Sequence, residues 1–458
     1  MLTALIVILS LLLYAWIVYP VVMLWVGRRG VAAHSAPPTE REGELPSVAI
    51  LFSAHNEEGA IRRRLENLAQ LDYPADKLQV FAGIDGGSDR TAEIALAWAK
   101  SHPNVHVVVS EQNHGKTAML KRLVKAVEEG KFEQKSQRAQ RKENCVFAGG
   151  GKENPAFVSF ATSVQISLLV FTDANTFFAP DALRNLVAPF DDPKVGGVCG
   201  RLNFVRGEKS IEQKSQRAQR KENCISAGGG KENPSFANFA TSVKISPPDT
   251  DEPVYWNLET RLKAAESSLD SCLGANGAIY AMRPELFWAE IPDNTIIDDF
   301  VLGMKVREQG SRMVYEPLAV ATEDLPVTIQ DEWRRRVRIG SGAFQAMTLC
   351  RACLSPRYGW FAVFFWSHKM LRWFTPHLAV MVGVLLSCQQ LNNPTTLYLL
   401  VGILLFVLFT PPGRKALKLL AYFVTMQAAL FVGSLKFCRG GLKGTWERTE
   451  RRVNGSEG

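Results

Sequence analysis

The sequence predicts an α/β domain built on a mostly parallel sheet and flanked at both ends by membrane-crossing helices. Three observations lead there. Between residues 47 and 205, short β-like apolar runs alternate with helical patterns, the mark of a parallel sheet. Residues 2–27 form an uncharged apolar run, long enough to cross a bilayer core of roughly 30 Å. Further apolar runs follow at 371–389, 395–411 and 417–435. A chain of 458 residues has room for two or three domains.

The first run reads as a retained anchor over residues 1–28. Its apolar core exceeds that of a signal peptide, no basic segment precedes it and no small-residue cleavage site follows. Arg28 and Arg29 come directly after it, so the positive-inside rule puts the central region in the cytoplasm. That predicts a multi-pass protein of the plasma (inner) membrane. Four spans would send the basic tail, residues 438–458, to the outside, against the same rule, so one C-terminal segment is expected to lie in the interface instead. The domain boundaries expected are 45–345 for the α/β domain, 346–370 for an interfacial segment and 371–437 for the C-terminal helices.

Within the domain, SVAILFS (47–53), LQVFAGI (78–84), VHVVVS (105–110) and ISLLVFT (166–172) read as strands. Each is followed by a helical pattern, in order NEEGAIRRRLENLAQ, DGGSDRTAEIALAWAK, GKTAMLKRLVKAVEEG and PDALRNLVAPF. Two near-copies interrupt this pattern: residues 132–167 and 211–246 align without a gap and match at 29 of 36 positions. Copies so far apart do not stack as a solenoid. Both fall in connections, where insertions are tolerated, and their polar composition predicts little structure of their own. Arg138, Arg141 and Lys142, with Arg217, Arg220 and Lys221, leave open a role as paired basic arms.

The net charge of +8 does not call for nucleic acid. Much of it adjoins apolar segments, where Lys and Arg favour anionic headgroups, so membrane lipids are the expected partners. No aromatic-basic RNA motif is present. The eight cysteines read as ordinary thiols on a reducing cytosolic face, without metal-like spacing.

In open α/β sheets, ligands bind beyond the carboxyl ends of the strands. Those ends read SAHNEE (53–58), DGGSD (85–89) and TDAN (172–175), so carboxylates converge on one crevice. DGGSD taken alone is equally a turn with Ser88 or Asp89 capping the next helix. Asp173 and Asn175 offer hard oxygen ligands at i, i+2, suited to Mg²⁺ or Mn²⁺ shared with a diphosphate. GANGAIYAMR (274–283) reads as a flexible loop, IIDDF (296–300) as a carboxylate pair and QDEWRRRVRIGSGAFQ (330–345) as a guanidinium cluster for phosphate or headgroups. Two phosphate-loop lookalikes fail. NHGKTAML has Ser110 where a glycine is needed five residues before Gly115, and AGGGKEN has no Ser or Thr after its lysine.

In this order, SAHNEE, DGGSD, GKTAML, FTDANTFFAPDAL, GANGAIYA, IIDDF and RRRVRIGSG resemble the family 2 glycosyltransferases. That membrane-embedded group includes cellulose, hyaluronan and poly-N-acetylglucosamine synthases. The resemblance implies a GT-A-like (Rossmann-like) fold and an inverting transfer. It also implies a nucleotide-diphosphate-sugar donor, Mg²⁺ or Mn²⁺, and a glycan or lipid-linked acceptor.

Carried over by position, the resemblance gives Glu57, Asp85, Lys116, Asp173 and Arg338 to the donor, and Asp173 with Asn175 to the metal. Gly274, Asn276, Gly277, Asp298 and Arg335 fall to the acceptor, and Asp299 becomes the catalytic base. Two positions depart from the family pattern. Asn175 replaces the second aspartate of the metal motif, and Ile339 stands where an acceptor-holding tryptophan is usual. The missing tryptophan leaves polymer synthesis and single-sugar transfer to a lipid both open. An inactive membrane scaffold of the same fold is the alternative from another class.

Overall fold

A computed structural model of the chain describes residues 2–31, 44–129, 156–158, 165–205, 251–324, 329–388 and 411–440. Its centre is a nine-stranded sheet in the order β4-β3-β2-β1-β5-β8-β7-β9-β6. The strands are β1 (Val48–Ala54), β2 (Leu78–Asp85), β3 (Val105–Ser110), β4 (Ala156–Val158) and β5 (Leu168–Phe171), then β6 (Thr176–Phe178), β7 (Val195–Val205), β8 (Tyr280–Met282) and β9 (Arg312–Asp324). β3, β2, β1 and β5 run parallel, as the sequence predicts. β8 lies antiparallel between β5 and β7, and β9 runs parallel to β7.

The parallel strands form because they are apolar on both faces. All seven residues of β1 are buried. Alternation sorts them: Ala49 and Leu51 face one core, while Val48, Ile50 and Phe52 face the other. Enclosing a side chain such as Phe52 or Leu51 contributes about 1.5–3 kcal/mol. Helices α3 (Glu58–Ala69), α4 (Thr91–Ala99) and α6 (Ala182–Val187) cover one face, and α5 (Lys116–Glu128) and α8 (Asp298–Glu308) cover the other.

At the N-terminus, α1 (Leu2–Leu13) continues through a π-helical stretch, Tyr14–Val18, into α2 (Tyr19–Val31). Among the described residues, three helical runs are long and apolar enough to cross a membrane: Leu2–Gly27, Trp360–Ser387 and Leu420–Cys438. The second is made of α10 (Trp360–Phe364), a π-helical stretch Phe365–Met370 and α11 (Leu371–Cys388); the third is the end of α12 (Pro411–Cys438). The second run thus starts at Trp360, inside the segment expected to be interfacial, because WFAVFFW adds apolar length that His368 and Lys369 conceal in a linear scan. Of the expected span 395–411, all but Pro411 lies outside the described residues.

The first two of these runs are fastened to the domain by α7 (Asp251–Leu269). Gly27 meets Ala265 so closely that a Cβ on Gly27 would lie 2.4 Å from the alanine methyl. His368 places one ring nitrogen 2.6 Å from Glu266 and the other 3.0 Å from Glu259. Arg372 and Lys369 also donate to Glu259, at 2.6 and 2.9 Å, and Tyr19 donates to Glu266 at 2.8 Å. A buried charge is tolerated where it is paired in this way.

Three expectations are corrected here. GANGAIYAMR is not wholly loop: β8 occupies the middle of the sheet, but three residues are too few to show strand alternation. The first near-copy contributes β4, which pairs antiparallel with β3 at the sheet edge; the second lies outside the described residues. Cys350 and Cys353 do share a C-x-x-C spacing, yet both are fully buried, and burial pushes the Cys353 thiol up to about 12. No group of three metal-ligating side chains occurs among the described residues.

Candidate active site

The crevice is assembled where β1, β2 and β5 end. Beyond β1, Asn56 takes a left-handed φ of 54°, and its Oδ1 accepts the Ser88 amide at 2.9 Å. Asp89 accepts the amides of Thr91 at 3.0 Å and Glu58 at 3.1 Å, so one side chain caps the starts of both α4 and α3. This is the capping alternative for DGGSD. Glu57 stands at the N-cap of α3, its amide donating to Thr91 Oγ1 at 2.8 Å.

Asp85 is sealed from solvent, and its two oxygens accept the amides of His114 at 2.9 Å and Gly115 at 2.7 Å. Burial raises its pKa while these amides oppose the shift. Its carboxylate therefore fixes the loop that launches α5. Gly86 must be glycine there, with φ 60° and no room for a Cβ, which would meet Asn113 N at 2.7 Å.

The loop held by Asp85 delivers Lys116, the first residue of α5, into the crevice. Its ammonium donates to Asp173 Oδ1 at 2.7 Å and lies 3.8 Å from Asp298 Oδ1. Burial works against the ammonium, but Asp173, Asp298 and Asp299 outweigh it and raise its pKa. Asp298 and Asp299 form the first turn of α8, where the helix N-terminus favours negative charge. Burial first, and then the neighbouring carboxylates, push Asp298 up to about 6 against the pull of Lys116. Asp299 is raised as well, chiefly by burial. Its Oδ1 accepts the Phe300 amide at 2.8 Å.

Gly277 sits among these groups. A Cβ built on it would lie 3.0 Å from Asp173 Oδ2, 3.3 Å from Asp299 Oδ2 and 3.3 Å from Lys116 Nζ. Gly274 and Asn276 shape the loop that carries it. Gly274 has φ 66° and packs on Phe300, while Asn276 donates to Gly200 O at 2.9 Å and accepts the Ile279 amide at 3.2 Å.

The guanidinium cluster lies on α9 (Ile329–Leu349) and divides between two tasks. The charge of Arg338 acts on Asp173, Asp298 and Asp299. Arg335 pairs with Glu332 at 3.7 Å and lies over the Phe204 ring at 5.9 Å.

Asp173 carries one partly exposed carboxylate, and Asn175 directs its amide nitrogen to Glu323 Oε1 at 3.0 Å. That donor set fits a hard divalent cation held by one or two protein oxygens, with a diphosphate supplying further ligands. It does not form a closed protein cage. Three more residues adjoin the site, Thr172 at the head of TDAN and two, Lys263 and Arg64, without any motif to announce them. Thr172 donates to Ala278 O at 2.7 Å, and Lys263 of α7 donates to Cys199 Sγ at 3.6 Å and acts on Asp299. Arg64 of α3 donates to Thr172 Oγ1 at 2.9 Å. Helical spacing in α3 puts Arg64 on the buried side beside Ile61 and Leu65, the one sequence signal that sets it apart from Arg62 and Arg63.

Among solved structures, the fold is similar to the mannosyltransferase PcManGT from Pyrobaculum calidifontis in complex with GDP-Man and Mn²⁺. The TM-score is 0.58 and the identity 19%, over 95% of this chain and 99% of that one. Among curated proteins, the probable glycosyltransferase YdaM of Bacillus subtilis is 32% identical over 38% of this chain and 33% of its own length. The poly-β-1,6-N-acetyl-D-glucosamine synthase of Staphylococcus aureus is 21% identical over 66% of this chain and 56% of its own. The β-monoglucosyldiacylglycerol synthase of Trichormus variabilis is 27% identical over 39% and 31%. The chain thus spans about a third to about half of the length of these relatives. The family model described as "Glycosyltransferase like family 2" matches residues 46–342, from the start of β1 to the Gly-Ser-Gly of α9. The chain belongs to the family 2 glycosyltransferases.

Proposed function

We propose that this protein moves a sugar, with inversion, from a nucleotide-diphosphate-sugar to a glycan or lipid-linked acceptor at the cytoplasmic face of the membrane. The observation that carries the reading is the convergence of Asp173, Asp299 and Lys116 around Gly277, where the absent side chain leaves room for reacting groups. The relatives include synthases of both sorts. One makes a polysaccharide and one a glycolipid, and the structural neighbour holds GDP-Man.

In this mechanism Asp299 removes the proton from the acceptor hydroxyl as its oxygen attacks the anomeric carbon from the face opposite the departing diphosphate. Lys263 and Lys116 favour its carboxylate form, which a base requires. Lys116 and Arg338 stabilise negative charge as it grows on the leaving group. Asp173 and Asn175 would hold Mg²⁺ or Mn²⁺, which supplies Lewis-acid stabilisation of the same diphosphate. Glu57 and the loop fixed by Asp85 border the nucleoside side, and Arg335 with Asp298 the acceptor side. The spans Leu2–Gly27, Trp360–Ser387 and Leu420–Cys438 keep a lipid-borne acceptor within reach.

The test is a screen of radiolabelled nucleotide-sugars on membranes containing the protein. A labelled, divalent-metal-dependent product is expected, and Asp299→Asn should lower its rate by at least about 10²-fold. Wild-type rate in that variant refutes the base; no product with any donor refutes the enzyme in favour of the scaffold.

A further inference from the structure

α3 turns one fully buried guanidinium toward the sheet. Arg64 is 0% exposed, between the core residues Ile61, Leu65 and Leu68 of the same helix. Its Nη2 donates to Thr172 Oγ1 at 2.9 Å and its Nη1 to Asn67 Oδ1 at 3.0 Å. Its Nε has no partner, and among the described residues no carboxylate lies within ion-pair distance of it. The ring of Phe178 lies under it at 4.5 Å and that of Phe52 at 6.0 Å. Burial lowers its pKa to about 9 while Asp173 acts in the opposite direction, so it is charged at neutral pH.

The fold does not need this charge. Thr172 still donates to Ala278 O at 2.7 Å without it. Asn67 still accepts the Phe178 amide at 2.8 Å and donates to Phe178 O at 2.9 Å. A neutral side chain of similar volume would leave Thr172 and Asn67 each still hydrogen-bonded and would remove one desolvated charge, which ordinarily leaves stability unchanged or improved. A costly cation that its neighbours do not require calls for another reason.

That reason lies one residue from Thr172. Asp173, Asp298 and Asp299 line the crevice and repel an incoming anion, and a buried charge is screened far less than a surface one. We propose that Arg64 is a positioning residue for the donor: a fixed cation behind the end of β5 that raises the crevice's affinity for a diphosphate. The inference rests on the donor reading given above. Arg64 touches no substrate; it acts through Thr172 and Asp173 and through its field.

The experiment uses the full chain in detergent, as wild type, Arg64→Met and Arg64→Lys, with Mg²⁺-pyrophosphate as the probe. Thermal unfolding and probe affinity are measured on each. Arg64→Met should melt at or above the wild-type temperature yet bind the probe on the order of tenfold more weakly, the scale of one unit charge roughly 10 Å away at an effective dielectric near 20. Arg64→Lys, which keeps the charge, should recover most of that affinity. Undiminished binding by Arg64→Met overturns the inference alone. A fall in melting temperature together with affinity, not restored by lysine, overturns it in favour of a purely structural arginine. Wild-type protein that binds no diphosphate overturns the donor reading, and Arg64's role with it.

Discussion

Gly277→Ala is the sharpest perturbation the site offers, because it adds one methyl group where the proposed chemistry takes place. Unlike Gly274, Gly277 does not adopt a left-handed backbone, so alanine brings no conformational strain there. The methyl would stand 3.0 Å from Asp173 Oδ2 and 3.3 Å from both Asp299 Oδ2 and Lys116 Nζ. All three are ends of side chains, and each can retreat by a few tenths of an ångström. The fold therefore accommodates the change, and the loss of a glycine from the unfolded chain even adds about 0.4–1 kcal/mol.

Catalysis does not accommodate it. A displacement near 1 Å costs about 10²-fold in an oriented reaction, and here the base, the metal ligand and the leaving-group cation move together. We expect kcat to fall roughly 10- to 100-fold, about 1.4–2.7 kcal/mol of transition-state stabilisation, with no loss of melting temperature. Gly274→Ala is the contrasting variant. With φ 66° and a Cβ that would lie 3.0 Å from the Phe300 backbone, it should lose stability and activity together. The measurements are transfer rate with the donor from the nucleotide-sugar screen and thermal unfolding in the same detergent. A wild-type kcat for Gly277→Ala, or a melting loss matching that of Gly274→Ala, refutes the placement of the reaction at this glycine.

Asp298 makes a pH-dependent contribution whose sign is fixed by its raised pKa. The folded protein holds this proton more tightly than the unfolded chain, so stability falls as pH rises from about 4 through about 6 and then levels off. The full difference is about 3 kcal/mol. Melting of wild type minus that of Asp298→Asn, followed across this window, should show the slope, and a flat difference counts against it. Gly433→Leu should detach α12 from α9, since a Cβ there would lie 2.6 Å from Val337 O and 2.7 Å from Ser341 N, backbone atoms that cannot yield. Overpacking of this kind costs about 1–3 kcal/mol. With Arg338 next to Val337, transfer should drop while the protein stays in the membrane fraction; retained activity would separate α9 from the site.

The parallel half of the sheet was legible because each strand announces itself twice, by an apolar run and by polar residues where it ends. β1, β2, β3 and β5 all fall where that pattern puts them. The other half was not legible. β8 has three residues, and β7 and β9 carry Gly196, Gly197, Gly200 and Pro317 with register shifts between them, which breaks alternation. The start of the second membrane run was hidden for a different reason. His368 and Lys369 look like a polar boundary in sequence, but with Arg372 they turn inward to Glu259 and Glu266 of α7.

The same distinction explains which site residues could be read and which could not. A motif records chemistry at one stretch of chain, whereas charge acts across space. Asp85, which the resemblance gives to the donor, and Asp89, a candidate helix cap, both spend their oxygens on backbone amides in the structure. Lys116 sits in a failed phosphate-loop pattern and becomes the central cation through the loop Asp85 holds. Arg62, Arg63 and Arg64 are identical letters in a row, and helical geometry alone sends the third beneath the carboxylates. Arg335 and Arg338 sit one turn apart on α9, yet Arg338 acts on all three crevice aspartates while Arg335 pairs with Glu332 and lies over the Phe204 ring. Position within an element, more than residue type, thus decides which charges reach the reaction.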